Sequence, residues 1–338
     1  MAADGADQVA VIGSGPPAHG REPAPPYGEG RSGRMRRTAR RQWVHRVDRA
    51  VSPYAYVTPF FLVFAAFGLF PLVYTAWVSL HDWSLLSEAH TFVGLDNYRT
   101  LMGDSYFWNA AFNTVSIGIL STVPQLALAI WLAHLLNRPL RSQTLFRVTL
   151  LLPNVTSVVA VVVIFSQLFG RDYGLINWVL SWFGIGAIDW NAGTATSHAA
   201  ISTMIMWRWT GYNTLIFLAA MQAVPRDLYE AATIDGASSF TQLRRITIPM
   251  IRPTIVFVVI TSTIGAVQIL AEPLLFGTYS VTGGPDRQYQ TLALYIYENF
   301  TKLDFGYASA VSWMMFVFIV LVVAVNYALT RRTRGSLT

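Results

Sequence analysis

The stretch Asp227-Leu228-Tyr229-Glu230-Ala231-Ala232-Thr233-Ile234-Asp235-Gly236-Ala237-Ser238-Ser239-Phe240 continues through Ile246-Thr247-Ile248-Pro249 to Arg252-Pro253. It is a polar island between two long apolar runs, and it reads as a short helix, a glycine turn and a second helix. Asp227 is placed to cap the first helix, with Glu230 as its reciprocal partner. Ala231, Ala232 and Gly236 are small enough for another surface to approach closely. Pro249 and Pro253 are expected to stop the second helix and turn the chain back toward the next apolar run. Taken alone, the pattern also fits an amphipathic surface helix–turn–helix, so its meaning depends on what flanks it.

Six long apolar stretches surround this island, at approximately 57–80, 111–136, 145–169, 197–221, 253–277 and 308–330. Each is near the roughly 20 residues that cross a hydrocarbon core of ~30 Å. Backbone polar groups cannot stay unpaired in lipid, so these runs are expected to be helices. Continuous apolar runs such as Val158 to Phe165 do not fit the alternating strands of a membrane barrel. Composition agrees. Hydrophobic residues are 53% of the 338 and charged residues 12%, against about 25% charged in soluble domains, and the mean hydropathy is +0.41. The expected fold class is therefore all-α and polytopic, with six transmembrane helices.

The net charge of +6 would ordinarily raise nucleic acid as a partner, but the arginines are arranged as a topology signal. Arg34, Arg36, Arg37, Arg40, Arg41, Arg46 and Arg49 precede the first run. Arg138, Arg141 and Arg147 follow the second, Arg226, Arg244, Arg245 and Arg252 follow the fourth, and Arg331, Arg332 and Arg334 follow the last. The alternate connections hold only Arg99, Arg171, Arg287 and Lys302. The positive-inside rule then predicts that both termini are cytoplasmic and that membrane lipid, not nucleic acid, is the partner of this charge.

Several chemistries are excluded. There is no cysteine, hence no disulfide or thiolate site. The single lysine, Lys302, lies between Thr301 and Leu303, so there is no Gly-Lys-Ser/Thr phosphate loop. The run Val9-Ala10-Val11-Ile12-Gly13-Ser14-Gly15-Pro16-Pro17-Ala18 imitates a dinucleotide fingerprint, but Pro16, Pro17, Pro23, Pro25 and Pro26 leave no helix to receive a pyrophosphate. Residues 1–52 read as a disordered to basic cytoplasmic tail without the basic-then-apolar order of a signal peptide, and 53–332 as the transmembrane domain. His81, His90, His134 and His198 lack metal-ligand spacing and read as interfacial residues at the span edges.

The spacing Glu-Ala-Ala, three residues, Gly, nine residues, Ile-x-Ile-Pro over 230–249 resembles the signature of binding-protein-dependent ABC importer permeases, with Ile248 where leucine is commoner. The resemblance implies a coupling loop, 226–249, that inserts into a cleft on a separate ATPase. Glu230, Ala231, Ala232, Asp235, Gly236, Ala237, Phe240, Ile246 and Pro249 would be its contact residues. Phe92-Val93-Gly94-Leu95-Asp96-Asn97-Tyr98, Phe107-Trp108-Asn109 and Asn113-Thr114 look like the first external loop of carbohydrate permeases of the maltose/glycerol-phosphate type. Thr282-Gly283-Gly284-Pro285, Thr291, Tyr295-Ile296-Tyr297 and Gly306-Tyr307-Ala308-Ser309-Ala310 look like that family's last external loop and sixth-helix start.

The resemblance implies four partners: a second, non-identical permease subunit, an ABC ATPase dimer, an extracytoplasmic sugar-binding lipoprotein, and the bacterial cytoplasmic membrane. This chain would bind no cofactor and would not be an enzyme; ATP and Mg would sit on the ATPase. Alternating access of an inward-translocated di- or oligosaccharide is the implied mechanism.

Sugars are bound by aromatic faces plus amides and hydroxyls. The fourth run offers Arg208, Trp209, Tyr212 and Asn213, and the fifth Thr261, Gln268 and Glu272, the last three at steps of seven and four that put them on one helical face. Interhelical hydrogen bonding is the alternative use for such hydroxyls and amides. Alignment outward from the coupling loop puts Tyr212, Thr261 and Gln268 where the maltose-type subunit contacts its sugar. Arg208 and Glu272 are charges inside spans, able to pair with each other, line a cavity or sit at an external gate. Asn154 and Ser157 lie beside Pro153, where the third span is expected to break. Gly265–Pro273 resembles permeases for β-linked disaccharides such as cellobiose or lactose. A permease for glycerol phosphate is the alternative within the class. An ATPase-independent channel is the alternative outside it, and no repeated filter motif supports one.

Overall fold

A computed structural model describes residues 54–84, 90–138, 141–277 and 279–332, with backbone alone at 329–332. The tail expected over 1–52, its arginines and Arg334 lie outside these residues. The chain divides into two units, Met1–Leu69 and Phe70–Thr338. In the first, residues 54–69 are helical with every side chain exposed.

In chain order, α1 (Tyr54–Val78) precedes a two-residue antiparallel pair, β1 (His81–Asp82) with β2 (Thr91–Phe92), in the register His81–Phe92 and Asp82–Thr91. Then come α2 (Asp96–Gly103), α3 (Ser105–Leu136), α4 (Gln143–Val155), α5 (Val158–Leu168), α6 (Leu175–Ser181) and α7 (Thr194–Gln222). The remainder is α8 (Arg226–Ile234), α9 (Ser239–Gln242), α10 (Ile248–Met250), α11 (Arg252–Val267), α12 (Ala271–Leu275), α13 (Leu292–Thr301) and α14 (Phe305–Arg332).

Four helical stretches among the described residues are long and apolar enough to cross a membrane: α1, α3, Arg252–Leu275 and Phe305–Ala328. A fifth is α4 with α5, if the pair is one span, and the two halves are bent by 91°. The remaining expected run, the fourth, corresponds to α7, a helix of 29 residues that falls short on apolarity because Arg208, Thr210, Asn213 and Thr214 interrupt it.

Three local features depart from simple spans, and each has a proline or a cap behind it. Helix α3 starts at Ser105, where the Asp104 carboxylate accepts the Tyr106 N–H at 2.8 Å. Phe107, Trp108, Asn109, Asn113 and Thr114 are therefore helical and not loop residues, as their resemblance to an external loop had suggested. In the third run Pro153 lies near the end of α4, and the backbone turns extended at Thr156 and Ser157 before α5 resumes. The fifth run breaks at 268–270. Pro273 has no N–H to give the Ile269 carbonyl and its ring crowds that carbonyl; the Thr291 hydroxyl donates to it instead, at 2.7 Å.

Helix α3 packs along α7, which also carries α4, while α11 lies against α3 and α14. One buried cluster includes Ile117, Val162, Ile201, Met204 and Phe276. A second includes Ala129, Ala133, Phe217, Met221, Leu243, Ile251 and Val258. Small residues set the close approaches: a Cβ on Gly211 of α7 would lie 1.7 Å from the Leu150 carbonyl oxygen of α4.

The segment before α13 is strapped down. The Arg287 guanidinium donates to both oxygens of Glu298 at 2.6 and 2.7 Å and lies over the Tyr106 ring. The Arg287 carbonyl accepts from Asn109 and Asn113. Burial pushes the Glu298 carboxyl up, but the donors from Arg287, Lys302 and Gln290 outweigh it and hold it down at about 2. His198, expected at an interface, is buried and bonds Ser116 Oγ and the Gln288 carbonyl at 2.8 and 2.9 Å.

Candidate functional site

Two features of the Phe70–Thr338 unit bear on function: an interior cavity between α3, α7 and α11–α12, and the loop from α8 to α10.

The cavity has a volume of about 290 Å³. Of the seven residues expected on a substrate path, Trp209, Tyr212, Asn213, Thr261 and Glu272 line it. Arg208 reaches it indirectly, through Nη1 donating to Glu272 Oε1 at 2.7 Å, with the two side chains 15% and 8% exposed. These two charges pair with each other, and Glu272 also lines the cavity. Gln268 does not line the cavity. It terminates α11 at the break, is exposed, and shares no continuous helical face with Thr261 and Glu272. The seven-and-four spacing assumed an unbroken helix, and Pro273 removes that condition.

The polar groups differ in how free they are. The Thr261 hydroxyl donates to carbonyls of its own helix, Phe257 at 3.0 Å and Val258 at 3.2 Å. Asn213 Nδ2 donates to Ser262 Oγ across the helices at 3.2 Å, the interhelical use. The Trp209 and Tyr212 rings meet edge to face with centroids 5.9 Å apart. Two further lining residues, Thr122 and Gln125, come from α3 and were not singled out from sequence. Gln125 is 2% exposed and its Nε2 has no hydrogen-bond partner among the described residues. The available signal was an amide beside Pro124 inside an apolar run.

The loop is built as a short helix, a turn and a second helix. Helix α8 begins two residues earlier than expected, because Pro225 sets the entry backbone as its N-cap. Asp227 is therefore inside the first turn and makes no side-chain cap; it acts on the helix dipole rather than in a reciprocal box with Glu230. The C-terminus closes with Ala237 N–H to the Ala232 carbonyl at 2.9 Å and Gly236 N–H to the Thr233 carbonyl at 3.0 Å. This Schellman closure needs the left-handed backbone that Gly236 adopts, φ +75°. A Cβ there would meet nothing within 4 Å, so conformation and not space selects glycine.

Ser238 caps α9, and the chain stays helical past Pro249. A wide π turn over Leu243–Thr247 precedes the proline and absorbs its missing donor and crowding ring, so the expected stop moves to Ile251. Pro253 opens α11 instead of ending its predecessor. The two arms are pinned by Tyr229 Oη to Thr247 Oγ1 at 3.0 Å and Gln242 Nε2 to Thr233 Oγ1 at 3.0 Å. Leu243 and Ile251 anchor the loop in the cluster with Ala133 and Met221. Glu230, Ala231, Asp235, Gly236, Phe240 and Pro249 are exposed, Ala232, Ala237 and Ile246 half-buried. Ile234 and Phe240 stand out as apolar side chains 87% and 70% exposed.

Residues 125–335 match the family model of the binding-protein-dependent transport system inner membrane component. The chain belongs to that family. The permease is 37% identical over 280 residues to the lactose transport system permease protein LacF of Rhizobium radiobacter, covering 81% of this chain and 91% of the relative. It is 36% identical over 262 residues to the sulfoquinovosyl glycerol transport system permease protein SmoG of Agrobacterium fabrum, covering 77% and 83%. The trehalose/maltose transport system permease protein MalF of Thermococcus litoralis is 32% identical over 267 residues, covering 79% and 89%. In fold, the permease matches a chain of a bacterial alginate ABC transporter solved in complex with an alginate pentasaccharide-bound periplasmic protein. The TM-score is 0.73 with 21% identity, over 86% of this chain and 97% of that one.

Proposed function

We propose that this chain is one permease subunit of an ATP-driven, binding-protein-dependent importer that moves a neutral di- or oligosaccharide into the cell by alternating access. The observation that carries the substrate class is the cavity's charge balance. Its carboxylate, Glu272, is paired with Arg208 at 2.7 Å, so the cavity offers aromatic faces and amides but no free charge. A phosphorylated substrate such as glycerol phosphate would want cations held free for it. The relative at 37% identity is named for lactose, which favours a disaccharide; a β-linked one such as cellobiose stays within the reading.

In this reading residues 53–332 form the transmembrane domain with six spans and both termini inside. Helix α7 counts as a span because 29 residues reach about 44 Å at 1.5 Å per residue; its Thr210 and Thr214 hydroxyls bond carbonyls of their own helix, and Asn213 lines the cavity. A second, non-identical permease closes the cavity. ATP and Mg belong to an ATPase dimer, and an extracytoplasmic binding protein delivers the sugar. ATP binding draws the ATPases together and moves the 226–249 loop, with Glu230, Ile234, Phe240 and the Gly236 turn on the contact surface. The pins at Tyr229 and Gln242 pass that movement to the helices. Hydrolysis resets the cycle.

The test is a panel of neutral and anionic sugars with the cognate binding protein and the reconstituted transporter, read as stimulated ATP hydrolysis. Stimulation by a neutral di- or oligosaccharide is expected. Stimulation by sugar phosphates alone, or by no sugar, overturns the substrate class.

A further inference from the structure

A second and larger cavity, about 630 Å³, lies between the inner side of the 226–249 loop and the adjoining ends of α3 and α7. Its cationic lining groups are Arg138 and Arg226, with the His134 imidazole beside them, and no carboxylate lines it. Neither guanidinium has an ion pair among the described residues. Arg138 Nη2 donates to the Ser239 hydroxyl at 2.8 Å, and His134 Nε2 shares a hydrogen bond with the same hydroxyl at 3.0 Å. Arg138 thus has one neutral acceptor and no carboxylate partner, so the guanidinium groups are the unmatched charges of this cavity. The interior cavity is the opposite case, with its cation already matched.

Charged donors without an anionic partner select an anion, and a fork-shaped guanidinium favours phosphate. Asn137, Gln143 and Tyr229 add amides and a hydroxyl suited to a polyol, and the volume is that of a small-molecule site. We propose that this cavity binds a phosphate ester of a sugar or small polyol. It would bridge Arg138 at the end of α3 to Arg226 on α8 and brace the loop against the membrane helices. The proposal rests on the reading above in one respect, that the loop faces the cytoplasm and meets the ATPase. A phosphorylated sugar is the charged product expected once an imported sugar is consumed inside, so occupancy would let product restrain uptake. The same phosphate chemistry is available from an anionic lipid headgroup at this membrane face.

The test uses the complete transporter, with both permeases, the ATPase dimer and the binding protein, in nanodiscs of phosphatidylcholine with or without phosphatidylglycerol. Glucose 6-phosphate, inorganic phosphate and glucose are the probes. Binding heat is measured without ATP, and sugar-stimulated ATP hydrolysis is measured in parallel. Glucose 6-phosphate is expected to bind and slow stimulated hydrolysis, glucose to do neither, and Arg138→Gln to weaken both effects at least about tenfold. If soluble phosphates do nothing but phosphatidylglycerol alters turnover through Arg138, the headgroup is the source and the site stands.

Equal effects in wild type and R138Q place the phosphate on the ATPase and overturn the proposal. So does loss of the ATPase from the R138Q complex, which would make the cations its docking partners. His134→Gln, which keeps a neutral donor, should weaken binding less than R138Q; the reverse order also counts against the site. If no sugar stimulates hydrolysis, the importer reading fails while the binding heat still reports on this cavity.

Discussion

Replacing Arg208 by glutamine should destabilise the permease far more than replacing Arg208 and Glu272 together. The pair is 2.7 Å long and its side chains are 15% and 8% exposed. At an effective dielectric of about 20, opposite unit charges at that separation attract by about 6 kcal/mol, and desolvation of both offsets much of it. Removing one partner leaves the other charge buried without a counterion, a loss of about 3–5 kcal/mol. Arg208→Gln and Glu272→Gln should each show that loss, whereas R208Q/E272Q leaves no stranded charge and should unfold closer to wild type. Thermal unfolding of the purified permease, followed by tryptophan fluorescence, reads the three variants on one scale. Glu272→Gln also frees a cation beside the cavity, so hydrolysis stimulated by an anionic sugar should rise relative to a neutral one. A double variant that falls at the sum of the single losses would refute the reasoning, since the two residues would then act independently and the cavity's neutrality would have no basis in their pairing.

Gly236→Val forces a β-branched residue into left-handed backbone and should cost about 1–2 kcal/mol at the α8 terminus, uncoupling uptake from ATP hydrolysis; Gly236→Asn should retain coupling, and transport assays of both variants check this. Glu230→Lys should weaken ATPase co-purification or abolish uptake while the protein still inserts in the membrane, and normal values for both would remove the loop from the mechanism. Gly211→Leu places a side chain where even a Cβ lies 1.7 Å from the Leu150 carbonyl, so α4 must retreat; a loss above about 3 kcal/mol and a lowered unfolding temperature are expected. Glu298 is held at about 2, below the ordinary carboxyl value of 4.5. A depressed carboxylate contributes stability above its unfolded pKa and loses it as pH falls through the folded one. The strap around Arg287 should therefore weaken between about pH 4.5 and 2, by about 3 kcal/mol, and hydrogen exchange across 281–300 should report it; a Glu298→Gln variant should lack that pH step.

Much of this was legible in the chain because it depends on neighbours in sequence. Gly236 after a run of helix formers predicts its own turn, and Pro153 beside Asn154 predicts the bend in the third run. Trp209, Tyr212 and Asn213 stand out because aromatic and amide groups are conspicuous inside an apolar stretch. The failures share one cause, long-range or helix-wide geometry. Gln268 was assigned a face by counting along a helix that Pro273 interrupts. Pro249 reads as a terminator unless the backbone can widen before it, which no spacing reveals. Gln125 enters the cavity because α3 lies against α7 and α11, and a lone amide in an apolar run has no periodicity to announce that contact.

The break at 268–270 divides the lining of the interior cavity between two separately supported pieces. Thr261 and Ser262 belong to α11, which continues from the loop anchored by Leu243 and Ile251. Glu272 belongs to α12, whose neighbouring Ile269 carbonyl is held by Thr291 from the far segment. Substitutions on α12 can therefore accumulate without disturbing the register of the helix that continues from the 226–249 loop. A lineage can change that part of the lining by editing α12 alone. Relatives named for lactose, trehalose/maltose and sulfoquinovosyl glycerol, each at least 32% identical to this chain, are the kind of divergence such a division permits.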